Sequence, residues 1–115
     1  MQYRVDYSPE FQRDLDDIWN YIVTEYQNAD AAERITNGIV DATEFLFTFP
    51  LSGQPVFLPG GMDSGYRILV FEAYVIVYRV LHGAVQVSRA VHSSVDYMRI
   101  MFPRLYHTGY IEDED

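Results

Sequence analysis

Between residues 85 and 102 the chain reads VQVSRAVHSSVDYMRIMF, and within nine positions it sets Arg89, His92, Asp96 and Tyr97. Those residue types suit phosphate chemistry. An imidazole titrates near neutrality and can pass a proton in either direction. A guanidinium offers a planar, two-pronged grip on a phosphate, and a tyrosine can stack on a base or aid a proton transfer. The same residues have plainer uses. A strand-end arginine is ordinarily solvated or ion-paired. A histidine just past a strand ordinarily faces water or caps a turn. Tyr97, Ile100 and Met101 also carry the spacing of a helix face packed on a sheet.

Charge complicates a nucleic-acid reading. The net charge is −9, which argues against such partners, but it is unevenly spread. Residues 1–50 hold ten acids against three arginines. Residues 51–111 hold five arginines against three acids, together with all three histidines. The last four residues, EDED, are all acidic. Every basic residue is Arg and none is Lys, a choice compatible with phosphate binding and equally with plain salt bridges.

Other classes are bounded quickly. At 115 residues with 49% hydrophobic content, one packed domain over 1–111 is expected, followed by an acidic tail at 112–115. With no Cys there is no disulfide, thiolate metal site or Cys nucleophile, which fits a reducing cytoplasm. The N-terminus lacks the basic-then-apolar pattern of a signal peptide, and no apolar run nears the ~18 residues of a membrane span. His82, His92 and His107 share no metal-ligand spacing with carboxylates, so neither metal nor cofactor is expected. No phosphate-cradling glycine motif is present, and GG at 60–61 reads as loop.

The elements that must position the chemistry are legible by pattern. YRVDY (3–7) alternates like a short strand. Ser8, Pro9 and Glu10 read as the cap and first turn of a helix. Phe11, Leu15, Ile18, Ile22 and Tyr26 form its stripe, widened by Trp19 and Val23, with Asp14, Asp16, Asp17 and Glu25 mostly off it. Asp30 and Glu33 suggest a capping box for a second helix. Its seam runs Ala32, Ile35, Ile39, Ala42, Leu46, Phe49 before Pro50 ends it. A loop follows, with a short edge strand around 56–58. Three closely linked strands come next, at 66–72, 74–81 and 85–91, with His82-Gly83 as a hairpin turn. A short helix closes the domain, capped by Ser93 or Ser94 and ended by Pro103.

The fold class expected is therefore α+β. An N-terminal strand leads to an antiparallel helical hairpin, packed on one face of a small, mainly antiparallel four-stranded sheet, with a short C-terminal helix. The sheet's other face would display the Arg and His surplus. Arg79, inside an apolar strand, is expected to neutralise an acid such as Glu72.

Four stretches in order carry a family resemblance: YSPEFQRDLDDIWNYI, AAERITNGI…FLFTFPLSG, GYRILVFEAYVIVYRV and SRAVHSSVDYMRIMF. Over residues 3–102 the chain resembles the RelE/ParE superfamily of small bacterial and archaeal toxins. The resemblance implies the toxin of a type II toxin–antitoxin pair, made beside an antitoxin that silences it. In the RelE-like branch the toxin cuts mRNA on the ribosome without a metal. In the ParE-like branch it poisons DNA gyrase and cuts no RNA.

The RelE-like branch is the favoured expectation: a ribosome-dependent endoribonuclease that inhibits translation, with ribosome and mRNA as partners beside the antitoxin. Its catalytic residues would be Arg67, Arg89, His92 and Tyr97. His92 would move the protons, Arg67 and Arg89 would meet the charge growing on the phosphoryl oxygens, and Tyr97 would stack or assist. Many relatives carry two arginines where this chain has Ser94 and Val95, and some RelE-like nucleases use lysines that have no counterpart here. The alternatives are a gyrase inhibitor acting by binding alone and an attenuated relative that only binds its antitoxin.

Overall fold

A computed structural model describes residues 3–107; the acidic tail expected at 112–115 lies outside them. The elements are β1 (Arg4–Tyr7), α1 (Pro9–Tyr26), α2 (Ala29–Glu44), a 3-10 turn (Phe45–Phe47), β2 (Gln54–Phe57), β3 (Asp63–Phe71), β4 (Tyr74–Leu81), β5 (Ala84–His92), α3 (Tyr97–Met101) and α4 (Pro103–His107). The α+β class, the hairpin and the mainly antiparallel sheet are as expected. The strand count is corrected: the sheet has five strands, in the order β1-β5-β4-β3-β2. The fifth is β2, a four-residue run that pairs with β3 at the sheet's edge despite Pro55, because an edge position needs hydrogen bonds on one side only. β1 runs parallel to β5, with the helical hairpin among the elements between them.

α1 starts as its residues dictate. Ser8 Oγ accepts from Phe11 N at 2.9 Å, and Pro9 fills the first position. It also ends sharply, at Gln27 in the left-handed region (φ 49°). α2 is capped by Asn28, whose side chain accepts from Ala31 N, and not by the Asp30–Glu33 box. It stops at Glu44, ahead of Pro50. That early stop turns Phe49 out to solvent while Leu46 stays in the core. The C-terminal helix is likewise two short ones. Asp96 caps α3, and Pro103, expected as a terminator, opens α4.

The core lies between the hairpin and one face of the sheet. Phe11, Ile18 and Ile22 of α1 and Ala32 and Ile39 of α2 meet Tyr74, Ile76 and Tyr78 of β4 and Val85, Val87 and Ala90 of β5. Trp19, expected in the stripe, stays out of the core with 36% of its surface exposed. Gly38 lets α2 approach β3, since a side-chain methyl there would overlap the Phe71 ring. Burial pushes the phenols of Tyr74 and Tyr78 above their ordinary value. The unfolded chain therefore releases these protons first. Stability should be flat up to the ordinary tyrosine value of about 10 and fall as pH rises from there towards the folded value. Urea unfolding across that range checks this, and Tyr78→Phe should shrink the fall without abolishing it.

Candidate functional site

The site expected at the end of β5 is built around a bulge. Val77 pairs with Arg89 and Tyr78 with Val87, so Ser88 is the extra residue. β1 covers β5 only from Ala84 to Val87, leaving the rest of that edge open. The first turns of α1 close it. Ser8 N donates to Val87 O at 3.0 Å and Ser8 Oγ to Ser88 O at 2.7 Å. One turn later the Asp14 carboxylate accepts three hydrogen bonds: Arg89 Nε at 2.7 Å, Arg89 Nη2 at 2.9 Å and Ala90 N at 2.9 Å.

Arg89 is thus a fastener between α1 and β5. Its hydrogen bonds to Asp14 hold it charged and raise its pKa against the cost of burial, and Glu10 and Asp17 add to the effect. The two-pronged face that would grip a phosphate is spent on a carboxylate. Asp14 was the residue sequence reasoning missed. It was read as lying off the apolar stripe, yet it is buried with Phe11, Ile18 and Ile22. Its spacing, three after Phe11 and four before Ile18, was the available signal.

Arg67 lies elsewhere. It pairs with Tyr78, whose side chain is in the core, so Arg67 faces the hairpin side. Its Nη1 donates to Leu51 O at 3.1 Å and Gly53 O at 2.7 Å. Gly53 N in turn donates to Tyr78 Oη, which donates to Pro50 O at 2.8 Å. Arg67 and Tyr78 together pin the crossing loop. Arg89 pairs with Val77, so the backbones of the two arginines lie two strands apart, about 10 Å, and their guanidiniums are taken by different partners, loop carbonyls for Arg67 and Asp14 of α1 for Arg89. The expected convergence of Arg67 and Arg89 is corrected: each is held by its own neighbours.

His92 pairs with Tyr74, stands edge-on to its ring at 5.7 Å, and is exposed. Its Nδ1 accepts from Ser94 N at 3.1 Å and lies 2.8 Å from Ser94 Oγ. A backbone N–H can only donate, so in the neutral ring the Nδ1 lone pair is engaged by Ser94 and the proton sits on Nε2. Relative to Arg67 it is about four residues along and two strands across, roughly 16 Å away. Tyr97, half-buried, begins α3 behind the Asp96 cap. The structure therefore sets Arg67 apart from Arg89 and His92.

Arg79 is also spoken for. Its Nε donates to Gln86 Oε1 at 2.9 Å and its guanidinium lies over the Tyr66 ring at 5.5 Å. Glu72, the partner expected for it, pairs instead with Arg34 at 2.6 Å. The face turned away from the hairpin carries Tyr66, Ile68, Val70, Val75 and Val77 beside Arg79 and Arg89. Phe102 packs edge-on against Tyr66. It is an apolar face rather than a display of free cations.

On the hairpin side a groove of about 760 Å³ opens between Tyr21, Ile22, Tyr26 and Ile35 of the helices and Tyr74 and His92 of the sheet. Asp17 and Glu72 are among its lining residues, so it is suited to apolar side chains and ill-suited to phosphate. Among the described residues no three His, Asp or Glu converge as a metal site, and no helix is long and apolar enough to cross a membrane.

Comparison with known proteins agrees with this geometry at the level of the fold. The family described as "ParE toxin of type II toxin-antitoxin system, parDE" matches residues 5–97. A chain of the chromosomal ParDE system of P. aeruginosa is similar at 21% identity and a TM-score of 0.67, over 79% of this chain and 96% of that one. A chain of the RelBE2 toxin–antitoxin complex of Mycobacterium tuberculosis follows at 22% identity and 0.59, over 80% and 99%. One from the E. coli DinJ–YafQ complex has 16% identity and 0.51, over 82% and 96%. No curated protein matches the sequence.

Proposed function

The chain belongs to the ParE toxin family of type II toxin–antitoxin systems, and on that premise we propose that it acts by binding a protein target, DNA gyrase, and cuts no RNA. A cognate antitoxin protein, made from a neighbouring gene, holds it silent. The observation that carries this reading is the bidentate capture of Arg89 by Asp14. Metal-free cleavage of a phosphodiester needs fixed cations free to meet the phosphoryl oxygens and a base free to take the 2′-proton. Here Arg89 serves a carboxylate and Arg67 serves loop carbonyls. The Nδ1 lone pair of His92 is engaged by Ser94 N. Inhibition by docking needs none of these groups to be free. It needs a rigid scaffold and exposed apolar side chains, and the chain has both.

Two assays on the purified chain divide the readings. Supercoiling by gyrase should be inhibited in proportion to added toxin, and primer extension on translated message should show no new 5′ ends. Cleavage recurring at fixed codon positions, with supercoiling untouched, would return the chain to the ribonuclease reading. Inertness in both would leave an attenuated, antitoxin-binding relative.

A further inference from the structure

Eighteen consecutive residues, Phe45 to Met62, carry no charged side chain in a chain of net charge −9. Within them Phe45, Phe47, Phe49, Leu51, Phe57 and Met62 each leave 41–69% of their surface open to water. Phe45 and Phe49 already stack on one another at 4.9 Å. The backbone beneath them is anchored: Tyr3 N donates to Phe47 O, Leu46 is fully buried, and Tyr78 and Arg67 hold the loop at Pro50, Leu51 and Gly53. A fixed run of exposed aromatics is costly to leave in water and marks an interface.

We propose that this band is a homodimer interface, its occupant being the same band of a second copy of the chain. Three arguments select that partner. The first is charge. Two copies of an acidic protein repel wherever their acids face, and the uncharged band is where they can meet without that penalty. The second is area. Side chains of ~150–250 Å² about half exposed sum over the six to roughly 600–700 Å² per copy. That approaches the ~800 Å² per partner of a stable interface. The third is symmetry. An uncharged surface can face its own copy across a two-fold axis with no like-charge pair, as a self-complementary contact requires. Pro55 removes an N–H from the outer strand β2, so the copies meet through side chains and not by extending the sheet.

Sedimentation equilibrium of the purified chain tests this. A dimer is expected at about 100 µM protein, and it should tighten as salt rises from about 0.05 to about 0.5 M, because salt screens the repulsion between like-charged copies. Phe49→Glu should weaken it by about tenfold or more. Val70→Glu, an equally exposed position on the opposite sheet face, should leave it unchanged. A monomer at every concentration, or a dimer indifferent to Phe49→Glu, overturns the proposal. So does a monomer whose band is shielded from hydrogen exchange only when the antitoxin is added, since that assigns the band to the other partner. None of these outcomes depends on whether gyrase is the target.

Discussion

Replacing Asp14 with Ala should lower stability by about 2–4 kcal/mol, a drop in Tm of roughly 10–20 °C. The carboxylate is the partner of both a guanidinium and a backbone N–H. Removing it strands a charge and an edge amide at once. The Asp14 side chain is only 10% exposed, but Arg89 keeps 27%, so water recovers part of the loss and the full cost of a buried unpaired ion is not reached. A leucine at 14 with a methionine at 89 removes both charges and keeps the volume. That double variant should recover more than half of the lost stability, leaving the Ala90 N–H as its main debt. Arg13, which makes an exposed ion pair at 3.5 Å with Glu10, is the control. Its alanine variant should stay within about 0.5 kcal/mol of the parent. Thermal and urea unfolding of the three variants beside the parent separates these outcomes.

Gly53→Ala should cost about 2–4 kcal/mol. A Cβ at this residue would lie 2.6 Å from the Tyr78 hydroxyl and 2.7 Å from the Ile68 carbonyl oxygen. The hydroxyl sits at the end of a side chain and can yield, but the carbonyl belongs to β3 and cannot move without its ladder. The clash also breaks the Gly53 N–H to Tyr78 bond at 2.9 Å and loosens the carbonyl that Arg67 holds. Combining it with Tyr78→Phe should give no rescue, because the Ile68 oxygen remains. Recovery in the double variant would mean that the hydroxyl alone sets the spacing. Since this loop carries Phe49 and Leu51, Gly53→Ala should also weaken any association through the exposed aromatics.

Local chemistry was legible in the sequence, and long-range partnership was not. Ser8-Pro9-Glu10 announced the start of α1 because a cap, a proline and an acid each act within one turn. β4 was read to the residue because its apolar run and tight flanking turns leave little choice. The end of α2 was misplaced, since nothing local forbids helix between Glu44 and Pro50; the hydrogen bond from Tyr3 to Phe47 decides it. Electrostatics failed for the same reason on a larger scale. Arg89 finds Asp14 75 residues away and Arg34 finds Glu72 38 away. No spacing rule spans such distances, so residues counted as a cationic surplus turned out to be fasteners. The family resemblance said nothing of the arginines' partners.

The central claim is that Arg89 holds the fold and does no chemistry on a target. Gyrase supercoiling measured with the charge-free Asp14→Leu, Arg89→Met variant tests it most directly, after unfolding has confirmed that the variant is folded. Inhibition within about threefold of the parent chain, a difference under about 1 kcal/mol, is the result this account predicts. A folded variant that has lost all inhibition would contradict it, and would put the guanidinium at the target after all.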